Sequence, residues 1–169
     1  MISRLAEREL KTKYGTYKEF LYYDGQAESI ALVMGDVENG ENILCRVHSH
    51  CIGAHVFNSI ECDCREQMEA SQILIEQEGR GVIIWLDQEG KGNGHLALMQ
   101  SIPFKKAGMP QADAYVKAGY KSDARSYRAA AEILADLKVS SIVLLANGTG
   151  KADELRAETI NISGTKQLT

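Results

Sequence analysis

The chain has 169 residues, 44% of them hydrophobic and 25% charged, with two prolines, fifteen glycines and a net charge of −4. That length suits one domain, residues 1–169, with a proper core. The acidic balance offers no field for a nucleic-acid backbone, no apolar run reaches the length of a bilayer span, and the first residues lack the apolar centre of a signal peptide. The expectation is therefore a cytoplasmic protein that meets neither nucleic acid nor membrane.

Residues 16–23 alternate and are rich in β-formers, so a strand is expected, closed by the turn signal Asp24-Gly25. Residues 29–34 form a second strand, and Asn39-Gly40 turns the chain into a third at 43–48. These three read as an antiparallel meander whose last strand delivers Arg46, His48 and Ser49 to the segment that follows. Residues 65–78 carry a loosely amphipathic helical pattern stopped by Gly79. Its start would aim unpaired N–H groups at a bound anion, with Gln67 in the first turn. Residues 81–86 are a buried strand.

The glycine-rich stretch Asp87-Gln88-Glu89-Gly90-Lys91-Gly92-Asn93-Gly94 follows at once. Backbone can approach a ligand closely there, although the glycine spacing of a P-loop is missing and a mobile surface loop has the same composition. Residues 96–106 are helical in composition but contain Pro103, which should bend or end the helix. Residues 107–121 show no defined pattern. Ser122-Asp123 should cap a helix over 124–138, with Asp123 and Arg125 at its start able to address one pocket. A buried strand at 141–146, a turn at 147–150, a short helix at 152–158 and a possible strand at 160–162 complete the chain. Strand–helix alternation in the second half implies parallel pairing, so the fold class is α/β: a mixed sheet with an N-terminal antiparallel meander and flanking helices.

Three of the four cysteines and three of the four histidines fall between Arg46 and Cys64. Cys62-Asp63-Cys64 sets two sulfurs close together, and Cys51 can return a third through a loop about ten residues long. Three thiolates suit zinc and leave a tetrahedral position open, as catalytic sites do. Cys45, His48, His50 or His55 could instead supply a fourth ligand and close the site, and the cysteines could also be plain buried thiols.

Arg46-Val47-His48-Ser49, the Cys51-x10-Cys62-x-Cys64 spacing, Gln67, Glu78-Gly79-Arg80-Gly81, Gln88-Glu89-Gly90, Asp123-x-Arg125 and Lys151 together resemble GTP cyclohydrolase II, the zinc enzyme that opens the riboflavin pathway. The resemblance runs from about Leu5 to Ile162. It implies that Cys51, Cys62 and Cys64 hold one Zn2+ per chain, whose water attacks C8 of a purine ring. It implies Mg2+ with the triphosphate and a homodimer. Arg46, Val47, His48, Ser49, Gln67, Glu89, Gly90, Lys91, Gln111 and Lys151 fall on nucleotide-contacting positions. Arg125 resembles the family's proposed nucleophile toward the α-phosphate, with Asp123 its partner base. Arginine stays protonated, however, and Asp123 could simply orient it as a phosphate clamp.

The departures from that pattern cluster around the same site. Ile102 stands where riboflavin-pathway members carry tyrosine, and a phenol donates and accepts hydrogen bonds as an isoleucine cannot. His50 replaces a glutamate, Asp87 an arginine, Leu86 a histidine and Lys91 an arginine; Gln111 and Ala146 replace threonines. The family's C-terminal extension is not expected here. The expectation is a divergent relative that opens the imidazole of GTP or a related purine nucleotide, releases pyrophosphate, and can stop at the formamidopyrimidine, in riboflavin synthesis, specialised metabolism or pyrimidine breakdown. The rival is a non-catalytic nucleotide-binding homologue whose metal is closed by a fourth protein ligand.

Overall fold

In the computed structural model, which describes residues 1–168, seven strands form one sheet: β1 (Ser3–Thr12), β2 (Gly15–Tyr23), β3 (Glu28–Met34), β4 (Ile43–Ser49), β5 (Gly81–Leu86), β6 (Ile142–Leu145) and β7 (Ile162–Lys166). Their order is β1-β2-β3-β5-β4-β6-β7. The pairs β1/β2, β2/β3 and β3/β5 are antiparallel, whereas β5/β4, β4/β6 and β6/β7 are parallel. The helices are α1 (Ile52–His55), α2 (Cys64–Glu78), α3 (His95–Lys106), α4 (Gln111–Lys117), α5 (Arg128–Asp136) and α6 (Gly150–Ala157). No helix among the described residues is long and apolar enough to cross a membrane.

The mixed sheet is thus as expected, with one change of membership. The meander is β1-β2-β3, and the strand expected to be its third member, β4, pairs with β5 and β6 instead. β4 is buried almost throughout and takes a central place. β1 takes the edge, and its sequence, SRLAERELKT, is exposed over its first seven residues and shows no apolar alternation. Arg4 ties this edge to α5 through Asp136, which also accepts a 2.7 Å bond from the Tyr22 hydroxyl.

β5 is covered on both faces, which explains its unbroken apolar run. Val82, Ile84 and Leu86 face a core completed by Tyr127, Ile133 and Leu134 and by Leu155 of α6. Ile83 faces the opposite core with Tyr17, Leu145 and Ile75 of α2. Ile75 and Ile83 are almost wholly enclosed, so truncating either to alanine costs about 2–5 kcal/mol. α2 ends where expected, at Gly79 with φ +77°.

Four local expectations are corrected. The helix expected over 124–138 begins only at Arg128, because residues 124–126 are hydrogen-bonded to the glycine-rich stretch: Ala124 N–H donates to the Lys91 carbonyl at 2.8 Å and Ser126 N–H to Gln88 Oε1 at 3.0 Å. Pro103 neither ends α3 nor prevents another turn, since Ala107 N–H still reaches the Pro103 carbonyl. Residues 107–121 contain α4, entered after Pro110 and packed on α3. The last strand runs Ile162–Lys166 rather than 160–162.

β4 and β5 run side by side, with Ser49 opposite Leu86 at their carboxyl ends. The cysteine loop after Ser49 and the glycine-rich stretch after Leu86 both leave the sheet at that edge, the general location of ligand sites in sheets with parallel strands.

Candidate active site

Cys51 precedes α1, Cys62 lies in the following loop and Cys64 opens α2. Their three sulfurs all lie within 4.8 Å of one another, with Cys51 and Cys62 at 3.5 Å. Three thiolates on a tetrahedral zinc would sit about 3.8 Å apart, from a Zn–S length of about 2.3 Å, so the donor set and its spacing fit that ion. Burial, then the contact with Cys62 and the charge of Cys51, push the Cys64 thiol up; a bound cation reverses this, because ligand thiols bind deprotonated. Among the described residues the cluster holds three ligand atoms only. Cys45 is enclosed in the core, and His50 Nδ1 is bonded instead to Asp87 Oδ1 at 3.1 Å.

Beneath the sulfurs lies a buried polar layer. Arg46 Nε donates to His48 Nδ1 at 3.2 Å, and its Nη1 and Nη2 donate to the Leu145 carbonyl and to Gln67 Oε1. Gln67 in turn donates to Asp63 Oδ1 at 2.8 Å. A guanidinium can only donate, so His48 Nδ1 accepts and its Nε2 carries the proton, donated to His55 Nε2 at 2.8 Å. Burial, reinforced by Arg46, His55 and Lys151, holds His48 neutral with a pKa of about 3. Lys151 Nζ donates to the Val47 carbonyl at 2.9 Å, while the Val47 side chain belongs to the core.

Beside the sulfurs opens a cleft of about 430 Å3, within the range of small-ligand sites. Ser49, Cys51, Cys62, Cys64, Glu89, Gly90, Lys91, Gln111 and Arg125 line it, with Leu98, Met99 and Ile102 of α3 as an apolar wall. Ser49 Oγ is buried without a partner. Glu89, 9% exposed, accepts from Ile52 N–H at 3.3 Å and pairs with His95 Nδ1 at 3.0 Å, so one carboxylate joins the metal loop to α3.

Arg125 reaches the cleft from the segment before α5. Its Nη2 lies 2.6 Å from Asp123 Oδ2, and its Nε and its own backbone N–H both lie 3.0 Å from Oδ1. The carboxylate therefore closes a turn on its own neighbour, where a helix cap was expected. That hydrogen bonding raises the Arg125 pKa and lowers that of Asp123, so both stay charged.

The residues singled out from the sequence divide into three positions. Ser49, Glu89, Gly90, Lys91, Gln111, Arg125 and the three cysteines share the cleft. Arg46, Val47, His48, Gln67 and Lys151 lie outside its lining, in the layer beneath or in the core. Asp123 stands behind Arg125, in a depression shared with Glu154. Arg65, His95, Lys105 and Tyr115 were not singled out, and His55, a candidate fourth ligand, turns its Nε2 to His48 instead. His95 and Ile102 are seven residues apart on one helix, and that spacing was the available signal that they share a face.

The GTP cyclohydrolase II family model matches residues 3–167. GTP cyclohydrolase-2 of Actinobacillus succinogenes is 35% identical over 163 residues, covering 95% of this chain and 75% of that protein. GTP cyclohydrolase-2 of Archaeoglobus fulgidus is 40% identical over 158 residues, 92% of this chain and 42% of the relative. Riboflavin biosynthesis protein RibBA of Bacillus mycoides is 36% identical over 165 residues, 96% of this chain and 42% of the relative. The chain thus spans three quarters of the first and about two fifths of the other two. A crystal structure of RibBX, a two domain 3,4-dihydroxy-2-butanone 4-phosphate synthase from A. baumannii, superposes with a TM-score of 0.57 at 18% identity, covering 98% of this chain and 40% of that one. It shares the fold.

Proposed function

The chain belongs to the GTP cyclohydrolase II family, and from that premise we propose that it is a zinc-dependent hydrolase that opens the imidazole ring of GTP, or a closely related purine nucleotide, and releases pyrophosphate. The observation that carries this reading is a triad of thiols on the rim of a cleft into which Arg125 also projects. Cys51, Cys62 and Cys64 hold the zinc, which when bound supplies Lewis acidity and lowers the pKa of a water.

The chain's own residues do the rest. Ser49 offers an unpartnered hydroxyl to the nucleotide, and Leu98, Met99 and Ile102 exclude water from the base. Lys91 and Arg125 meet the phosphates, accompanied by Mg2+. Arg125 acts as a phosphate clamp: its ion pair with Asp123 holds the guanidinium protonated, and a protonated guanidinium has no lone pair to attack with, so one water adds to the α-phosphate as pyrophosphate leaves and a second adds at C8. The layer of Arg46 and His48, both buried, and of the half-buried Gln67 and Lys151 fixes the floor beneath. The single domain 1–169 works as a cytoplasmic homodimer, where its thiols stay reduced.

The reaction stops at the formamidopyrimidine. Addition of water at C8 breaks the C8–N9 bond and leaves the formyl group on N7. A further water would have to break C8–N7 and release formate, and Ile102 offers no proton to that step. Mass spectrometry of the products of GTP, with zinc and magnesium supplied, tests both parts. Pyrophosphate with a formylated pyrimidine nucleotide is the expected result. Stoichiometric formate overturns the early stop, and no turnover of any purine nucleotide overturns the hydrolase.

A further inference from the structure

We propose that Arg65 is a positioning residue for the three-sulfur site, a clasp that holds the two arms of its loop together; the inference rests on reading that site as a zinc centre. Cys51 sits on one arm, Cys62 and Cys64 on the other. Of the residues between them only Ala54 is buried, while the larger apolar side chains Val56, Phe57 and Ile60 are 60%, 70% and 97% exposed. α1 is a single turn, and carbonyls at its end have no partner within the helix.

Arg65 supplies one. Its Nε donates to the Ala54 carbonyl at 2.9 Å and its Nη2 to the His55 carbonyl at 2.7 Å. Arg65 is the residue after Cys64, and His55 N–H is bonded to the Cys51 carbonyl at 3.1 Å. One guanidinium therefore closes a short path from Cys51, through α1, to Cys64. The other end of α1 is held by Glu89 at Ile52 N–H.

A planar fork engages two consecutive carbonyls at once, whereas a lysine ammonium is a point donor on a flexible stem. With the fork in place the sulfurs are already assembled before an ion arrives, so binding does not have to order the loop. Groups that orient metal ligands in this way typically contribute about 10–100-fold in affinity.

The test is the zinc dissociation constant of the full chain, by competition with a chromogenic chelator, for wild type, Arg65→Ala and Arg65→Lys. The thermal midpoint of each metal-free protein and the absorption spectrum of each cobalt form are read alongside. Arg65→Ala is expected to bind zinc about 10–100-fold more weakly, with its metal-free midpoint within about 2 °C of wild type. Its cobalt spectrum should lose the sharp bands of a fixed tetrahedral site. Arg65→Lys should recover less than half of the lost affinity on a logarithmic scale. Zinc affinity of Arg65→Ala within threefold of wild type overturns the clasp, as does full recovery in Arg65→Lys, which would make charge alone responsible. Should Arg65→Ala fail to fold, Arg65→Lys decides alone: fivefold weakening or more supports the clasp, less overturns it. A wild-type chain that binds no zinc removes the zinc reading itself, and this is visible before any variant is compared.

Discussion

His50 Nδ1 lies 3.1 Å from Asp87 Oδ1, joining the residue that follows β4 to the residue that follows β5. Glutamate and arginine stand at these two places in the pattern the sequence resembles, so here the carboxylate follows β5 rather than β4. His50 also lies beside Trp85, with ring centroids 5.3 Å apart, and borders the cleft next to Cys51.

The two positions should therefore be coupled. His50→Glu alone sets two carboxylates against each other and should lower kcat/KM by about tenfold, roughly 1.4 kcal/mol. The double change His50→Glu with Asp87→Arg should return activity to within about threefold of wild type. Steady-state kinetics of the four proteins checks this; losses that simply multiply would show the two residues to be independent.

Lys151 predicts a pH dependence. Burial first, then Arg46 and Arg125, push its pKa down to about 7 from 10.5, with Glu154 and Cys64 opposing. The folded chain therefore binds fewer protons than the unfolded chain between pH 7 and 10.5. Stability attributable to this group is lowest below pH 7 and rises with pH across that window. Lys151→Met should melt above wild type at pH 6, with the gap narrowing by pH 9. A polyphosphate bound at Arg125 offsets one of the charges that disfavour the Lys151 cation, so nucleotide binding at pH 8 should take up protons. Calorimetry in two buffers of different ionisation enthalpy should detect this uptake, and Lys151→Arg should lose it.

Gly92 predicts a loss without contact. Its φ is +82°, and a Cβ there would lie 2.6 Å from the carbonyl carbon and oxygen of Ala124, the residue before Arg125. Gly92→Ala should displace the clamp and lower kcat by about a hundredfold, the scale of an ångström's misplacement. Zinc content should be unchanged. Metal analysis beside kinetics separates this from a folding defect.

Ile102 predicts a gain. It lines the cleft on the face of α3 that carries His95, two turns earlier. Ile102→Tyr introduces a phenol that can donate a proton to a departing amine. Formate should appear with the variant and not with wild type, measured by coupling to formate dehydrogenase.

The sequence made the sheet's interior readable because burial writes itself as apolar runs: β5, β6 and the stop at Gly79 are where periodicity puts them. It did not disclose β1, which is charged and exposed, and it misassigned the partners of β4 because local pattern does not encode pairing. The cysteine triad followed from spacing, since eleven residues and a Cys-x-Cys leave few geometries. Arg65 and His95 did not, because a clasp onto backbone carbonyls and a partner for Glu89 depend on how loops distant in sequence meet. The start of α5 was missed for the same reason: Lys91 and Gln88 capture the hydrogen bonds that residues 124–126 would otherwise use to continue the helix.

The parallel register of β4 and β5 has a consequence for how such a protein diverges. His50, Asp87 and Lys91 lie beyond the strand ends, and Ile102 and Gln111 on helices further out. None of the five belongs to the two apolar clusters on the sheet. Selection can revise the rim, with His50 and Asp87 changing together, while the chassis stays as it is, so new substrates are open to this lineage without renegotiating how it folds.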